Sequence, residues 1–317
     1  MRKFRVLFMS LLVGVSTAVQ SQEKSDVIRL DPALDEIVSP DAKVEKLAGN
    51  LVATNGPLWM TKGGYLLFSD PPANIMYKWD PRDGKASVYL DKSGLTAGEA
   101  GQRREIGSNG TTLDHQGRIV FCAQGDRQIV RLEEDGKRTA LISGYQGKPL
   151  DSPNDLVYKS DGSLYVTDLP AGMVLLLKDG VVRLATTAMQ RPNGLAFAPD
   201  EKHLYISENA QNKRNIMRFE VQPDDTLANP EVFLDMNSYP LPWLPDALKV
   251  DVRGNVYSQG EGGLWIITPA GKHIGTILMP ERPTSQAFGD ADGKTLYVTA
   301  RTSVYRIRLK MVGIRPN

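Results

Sequence analysis

Six oxygen-bearing side chains recur at one position of a repeated pattern. Asn109, Asn154, Asp246 and Ser285 each stand eight residues ahead of a turn glycine (Gly117, Gly162, Gly254, Gly293), while Asn55 and Asn193 stand nine ahead of Gly64 and Lys202. Their contexts rhyme: TNGPLW, SNGTTL, SPNDLV, RPNGLA, LPDALK and PTSQAF. Amides and a carboxylate without sulfur or imidazole make a hard-oxygen environment, suited to Ca²⁺ or Mg²⁺ more than to Zn²⁺. Calcium is the expected ion because it accepts amide carbonyls and irregular coordination, with Mg²⁺, Mn²⁺ and Zn²⁺ as alternatives. Asn55, Asn109, Asn154, Asn193 and Asp246 are the amide and carboxylate groups of this environment. Asp246 is the one carboxylate of the six, which makes it the candidate for ligand and general base together. A competing role for any single Asn or Asp is turn capping, since these side chains bond their own backbone and tolerate unusual dihedrals.

Bringing six distant positions to one ring requires a closed repeat. A turn followed by an alternating apolar strand occurs six times: KGGYLLFSD from Lys62, HQGRIVFCA from His115, SDGSLYVTD from Ser160, PDEKHLYIS from Pro199, VRGNVYSQG from Val252 and ADGKTLYVT from Ala291. The turn markers are spaced by 53, 45, 40, 52 and 39 residues, around the blade length of propellers. A second strand follows each copy and a shorter apolar piece precedes it. The expected fold is all-β, a six-bladed β-propeller of four-stranded blades over residues 44–310. The last repeat ends at SVYRIRLK without a fourth strand, so KVEKLAG near residue 43 is expected to close the ring. A two-domain β-sandwich also has short strands at regular spacing, but it gives no reason for six matching turns.

With the strand unit in place, the order GPLW, a strand ending FSD, SNG, LDSPNDLVYKSDGSLYVTD, RPNGLAFAPDEKHLYIS, LPDALKVDVRGNVY and DGKTLYVTARTSVYRIRL resembles the gluconolactonase, luciferin-regenerating enzyme and regucalcin family, also called the senescence marker protein family. The resemblance covers residues 44–310. It implies a six-bladed propeller with a divalent cation on its axis and hydrolysis of sugar lactones or related cyclic esters. By motif, it implies Asn154 and Asp246 as metal ligands and Asn109 as a substrate contact or a further ligand. One departure stands out: the family usually has glutamate before the first GP pair, and Asn55 stands there. A shell with one charge fewer binds calcium more weakly, and it leaves more positive charge on an ion that does bind. The non-catalytic alternative is a propeller that binds a ligand or a protein and keeps a structural calcium.

Two segments interrupt the repeat and are placed to cover the mouth. Ser93 to Gly107 is glycine-bearing and charged, with Glu99, Arg103, Arg104 and Glu105; MNSYPLPWLPD from Met236 carries Tyr239 and Trp243 between prolines just before Asp246. Long loops on rigid scaffolds commonly select substrates, so Tyr239 and Trp243 are candidate substrate contacts for a sugar or aryl ring. Asp155 is expected to pair structurally. Asp70 and Asp168 end strands and are expected to bond neighbouring turns. Cys122, inside RIVFCAQ, reads as a small core residue.

Composition narrows the function classes. Lys plus Arg number 38 against 37 for Asp plus Glu, leaving no basic surplus for nucleic acid. One cysteine and three scattered histidines, His115, His203 and His273, argue against a disulfide, a thiolate zinc cluster or a histidine triad. No dinucleotide fingerprint follows a strand. Residues 1–21 read as a secretory signal: Arg2, Lys3 and Arg5 precede an apolar run from Val6 to Val19, short of the roughly 20 residues that span a bilayer. Residues 22–43 are expected to lie along the surface as an arm, 311–317 to form a tail, and the mature chain to be periplasmic or secreted without a stable membrane anchor.

Overall fold

The computed structural model describes residues 26–239 and 244–316; the signal read over residues 1–21 and Trp243 lie outside them. Among the described residues six sheets of at least four strands follow one another along the chain. Blades 1 to 4 are each a run of four consecutive antiparallel strands, over residues 55–91, 108–142, 153–186 and 192–235. Blades 5 and 6 borrow from the N-terminal segment. Val44–Ala48 pairs with Ser303–Arg308 in the expected ring closure, with Val44 opposite Ile307. The arm also does more than lie on the surface: Val27–Arg29 adds a fifth strand to blade 5, with Val27 opposite Ile277. A short 3₁₀ turn, Pro32–Glu36, then buries Leu34 completely. The sequence hides this contribution because three-residue strands and single buried leucines have no period to detect.

The alternation of each strand explains the packing, because successive side chains point to opposite faces. Tyr165 packs toward blade 4 with Phe197 and Phe219, while Leu164 and Val166 pack toward blade 2 with Val120 and Cys122. Six apolar clusters result, one in each gap between successive blades. Cys122 is fully buried in one of them, as a small core residue should be. The gap between blades 6 and 1 is closed by Trp59 stacked on Tyr297 with centroids 5.1 Å apart, a contact worth about 0.5–1.5 kcal/mol beyond its area. The Thr284 hydroxyl adds a polar latch there by donating to the carbonyl of Thr54 at 2.6 Å.

The turns fix the register. Gly117, Gly162, Gly254 and Gly293 have positive φ, and in blade 4 that role falls to Glu201 (φ 55°) rather than Lys202. Asn193 therefore also stands eight residues ahead of its left-handed residue, in step with the others. No helix among the described residues is long and apolar enough to cross a membrane.

Candidate active site

The first residues of the innermost strands meet at one end of the channel, and the close approach is legible in their neighbours. A Cβ on Gly56 would lie 1.9 Å from the carbonyl oxygen of Asn109, one on Gly110 would lie 2.7 Å from that of Asn154, and one on Gly194 would lie 2.6 Å from that of Asp246. Only residues without a side chain let the Asn-Gly pairs press against the next blade. Hydroxyls from the second strands fix carbonyls of the ring: Thr167 donates to that of Asn193 at 2.7 Å and Ser207 to that of Asp246 at 2.5 Å. Asn55, Asn109, Asn154, Asn193, Asp246 and Ser285 thus follow one another around one mouth, as their register requires.

Carboxylates at the ends of second strands hold the segments that enter this ring. Asp70 accepts from the backbone N–H groups of Val52 and Ala53, Asp168 from Asp151 and Ser152, and Glu208 from Gln190 and Arg191. The expected turn-bonding role of Asp70 and Asp168 is what the structure shows. Asp155 is buried and its Oδ1 accepts from the Leu156 N–H, while its Oδ2 has no partner among the described residues. Burial pushes its carboxyl upward, against the nearby charge of Lys249.

Asp246 is the electrostatic centre of the mouth. Burial pushes its carboxyl up to about 7, with the negative charges of Glu105 and Asp155 adding to the rise; Arg282 and a hydrogen bond from Asn193 oppose it. The Arg282 guanidinium stands 3.8 Å from Asp246 Oδ2, and its Nε is buried without a partner among the described residues. Glu105 sits at the solvent-facing lip, where partial burial raises its carboxyl and Arg282 again opposes the shift. Arg282 escaped the sequence reading, although the Arg-Pro pair that precedes Asn193 also occurs as Arg282-Pro283 before Ser285.

The loop from Ser93 to Gly107 does reach this end. Asn74 Oδ1 accepts from Gly94 and Leu95, Asp126 accepts from Thr96, and Arg103 donates to the Gln124 carbonyl at 3.0 Å. A cleft of about 310 Å³ lies between Arg103, Arg104 and Glu105 on one side and Asp151 and Ser152 on the other. Tyr239 is partly buried edge-on against Trp265, with centroids 4.6 Å apart, in the gap between blades 4 and 5. Packing therefore already uses one edge of the ring expected to contact substrate.

The donor chemistry suits a hard cation. No group of three or more His, Cys, Asp or Glu side chains among the described residues is placed to hold a metal, which leaves the amide-rich ring. Within it Asn193 Oδ1 is buried with no hydrogen-bond partner among the described residues, and an oxygen with nothing to accept from is what a divalent cation would take. Asn55 Oδ1 instead accepts from the Gly56 N–H at 2.8 Å. His115, His203 and His273 lie elsewhere: His115 beside Tyr158, His203 at the start of a second strand, and His273 stacked on Trp265.

The fold has known counterparts. A family model described as the SMP-30/gluconolactonase/LRE-like region matches residues 53–302. The chain is 33% identical over 310 residues to a gluconolactonase of Zymomonas mobilis, covering 90% of this chain and 87% of the relative. It is 25% identical over 254 residues to a 6-deoxy-6-sulfogluconolactonase of Pseudomonas putida, covering 77% and 81%. Among solved structures, a gluconolactonase of Xanthomonas campestris superposes with a TM-score of 0.77 at 28% identity, covering 89% of this chain and 94% of that one.

Proposed function

Since the chain belongs to the SMP-30/gluconolactonase/LRE-like family, we propose that it hydrolyses lactones, with a sugar lactone such as gluconolactone as the substrate class, at the mouth where Asp246 faces Arg282. Water adds to the lactone carbonyl, the ring C–O bond breaks, and the product is a hydroxy carboxylic acid. The observation that carries this reading is the poise of Asp246, a largely buried carboxyl pushed up to about 7 beside a guanidinium at 3.8 Å.

Asp246 takes a proton from the attacking water and returns it to the departing ring oxygen. Arg282, from the neighbouring blade, offers N–H donors where negative charge develops on the carbonyl oxygen. Asn55, Asn154, Asn193 and Asp246 are the residues that would hold a divalent cation, calcium first, and Asn109 is a substrate contact. Such an ion supplies Lewis-acid polarisation of the ester carbonyl. The loop carrying Arg103 to Glu105 stands at the lip of the same mouth and presents charge to the hydroxyls of a sugar ring.

The test is turnover of a panel of sugar, alkyl and aryl lactones by the purified protein, stripped of metal and then supplied with Ca²⁺, Mg²⁺, Mn²⁺ or Zn²⁺, beside Asp246→Ala. Metal-dependent hydrolysis that disappears in the variant is the expected result. A folded protein that binds metal yet turns over none of the panel would overturn the reading in favour of a non-catalytic binding propeller.

A further inference from the structure

The channel has a second mouth, at the far end of the innermost strands, five residues from Asn193 to Ala198, or about 16 Å along an extended strand. A cavity of about 190 Å³ opens there. Leu58, Trp59, Leu156, Phe197 and Phe288 give it an apolar side, Thr111, Thr112 and Tyr158 bring polar groups, and Ile314 to Pro316 form part of its rim. That rim is pinned: the Ile314 N–H donates to the Val250 carbonyl and Arg315 donates to the Asp290 carbonyl.

The charged groups around this cavity are engaged, with one exception. Lys159 pairs with Asp161 and Asp225, and Glu201 accepts from the Ser160 backbone and hydroxyl. Lys249, between the fully buried Leu248 and the buried Val250 on the innermost strand of blade 5, lines the cavity and forms no hydrogen bond or ion pair among the described residues. The Lys249 side chain is half-buried, and an ammonium without a counter-ion is favourably joined by an anion. Its field reaches Asp155, but the two make no contact within ion-pair distance.

We propose that this far mouth is a binding site for a small apolar monocarboxylate, an aryl or short branched alkyl acid, with Lys249 as its anion partner. One cation suits one negative charge. A dry cavity of roughly 150 Å³ accepts a benzene ring, so the space of about 190 Å³ fits a body of benzoate size. The site is independent of the lactone reading and lies at the other end of the channel.

The test is calorimetric titration of the full protein with benzoate and with its neutral analogue benzyl alcohol. Benzoate is expected to bind more tightly than the alcohol. Lys249→Met should weaken benzoate by about tenfold or more and the alcohol by less than about twofold, as loss of a charge-assisted contact requires. Lys249→Arg should keep the preference for benzoate. Ala287→Leu, which adds bulk to the cavity wall, should weaken both ligands and gives a reading even if Lys249→Met does not fold. Asp246→Asn should leave benzoate binding as it was. Absence of benzoate binding, indifference to Lys249→Met in a folded protein, or loss of binding in Asp246→Asn would each overturn the proposal, the last by placing the acid at the lactone mouth.

Discussion

Arg282 brings its guanidinium to within 3.8 Å of the Asp246 carboxylate from the loop that enters blade 6, so two successive blades share one electrostatic pair. The arginine opposes the upward push of burial on Asp246 and keeps donors pointing into the mouth. Arg282→Met is therefore expected to lower kcat/KM for lactone hydrolysis by about 10–100-fold, mainly through kcat, because an oxyanion contact strengthens only in the transition state. Arg282→Lys should recover part of the loss, since a lysine keeps the charge without the planar fork. Steady-state kinetics on both variants checks this.

In the proposed cation site Asn55 stands where a carboxylate would add ligand charge, and its Oδ1 accepts from the Gly56 N–H. Asn55→Glu is expected to tighten calcium binding by about tenfold or more, because calcium affinity follows the number of charged ligands. Isothermal titration with Ca²⁺ measures the change, and unchanged affinity would remove Asn55 from the shell.

Two glycines with different surroundings separate packing strain from backbone strain. Gly194 has no room: an added Cβ would lie 2.3 Å from the Cα of Ala247, beside Asp246. Gly117 has positive φ (75°) but open space around it. Gly194→Ala is expected to cost about 1–3 kcal/mol through overpacking and to reduce activity as Asp246 shifts. Gly117→Ala should cost about 1 kcal/mol of backbone strain and leave activity intact. Thermal unfolding and lactone turnover on the pair check the contrast.

These contrasts also show which parts of the architecture a single chain discloses. The ring of Asn55, Asn109, Asn154, Asn193, Asp246 and Ser285 was readable because each copy stands eight or nine residues ahead of its turn, and the closure by Val44–Ala48 followed from a blade short of one strand. Arg282 and the strand Val27–Arg29 were not readable in the same way. Arg282 matters through a contact made across blades, which its Arg-Pro pair alone does not disclose, and the strand has three residues, too few to show a period. Tyr239 shows a different gap, since the sequence gives no sign that one edge of its ring packs against Trp265.

Acid should loosen the segment that carries Arg282. Its neighbour Glu281 accepts from the backbone and hydroxyl of Thr302 at 2.9 and 2.8 Å and from the Tyr305 hydroxyl at 2.7 Å. Burial works to raise the Glu281 carboxyl, but hydrogen bonds from Ser303, Tyr305 and Thr302 outweigh it and bring the value down to about 2 from an ordinary 4.5. A carboxyl depressed in the folded state stabilises fully above its unfolded value and loses that contribution as pH falls through the folded one. The stabilisation from Glu281 is thus complete above pH 4.5 and disappears between pH 4.5 and about 2. Glu281→Gln is expected to be less stable than the parent by about 1–2 kcal/mol at neutral pH. The gap in melting temperature between the two proteins should close as pH falls through that window, whereas a gap independent of pH would show that the clamp does not depend on the ionised carboxylate.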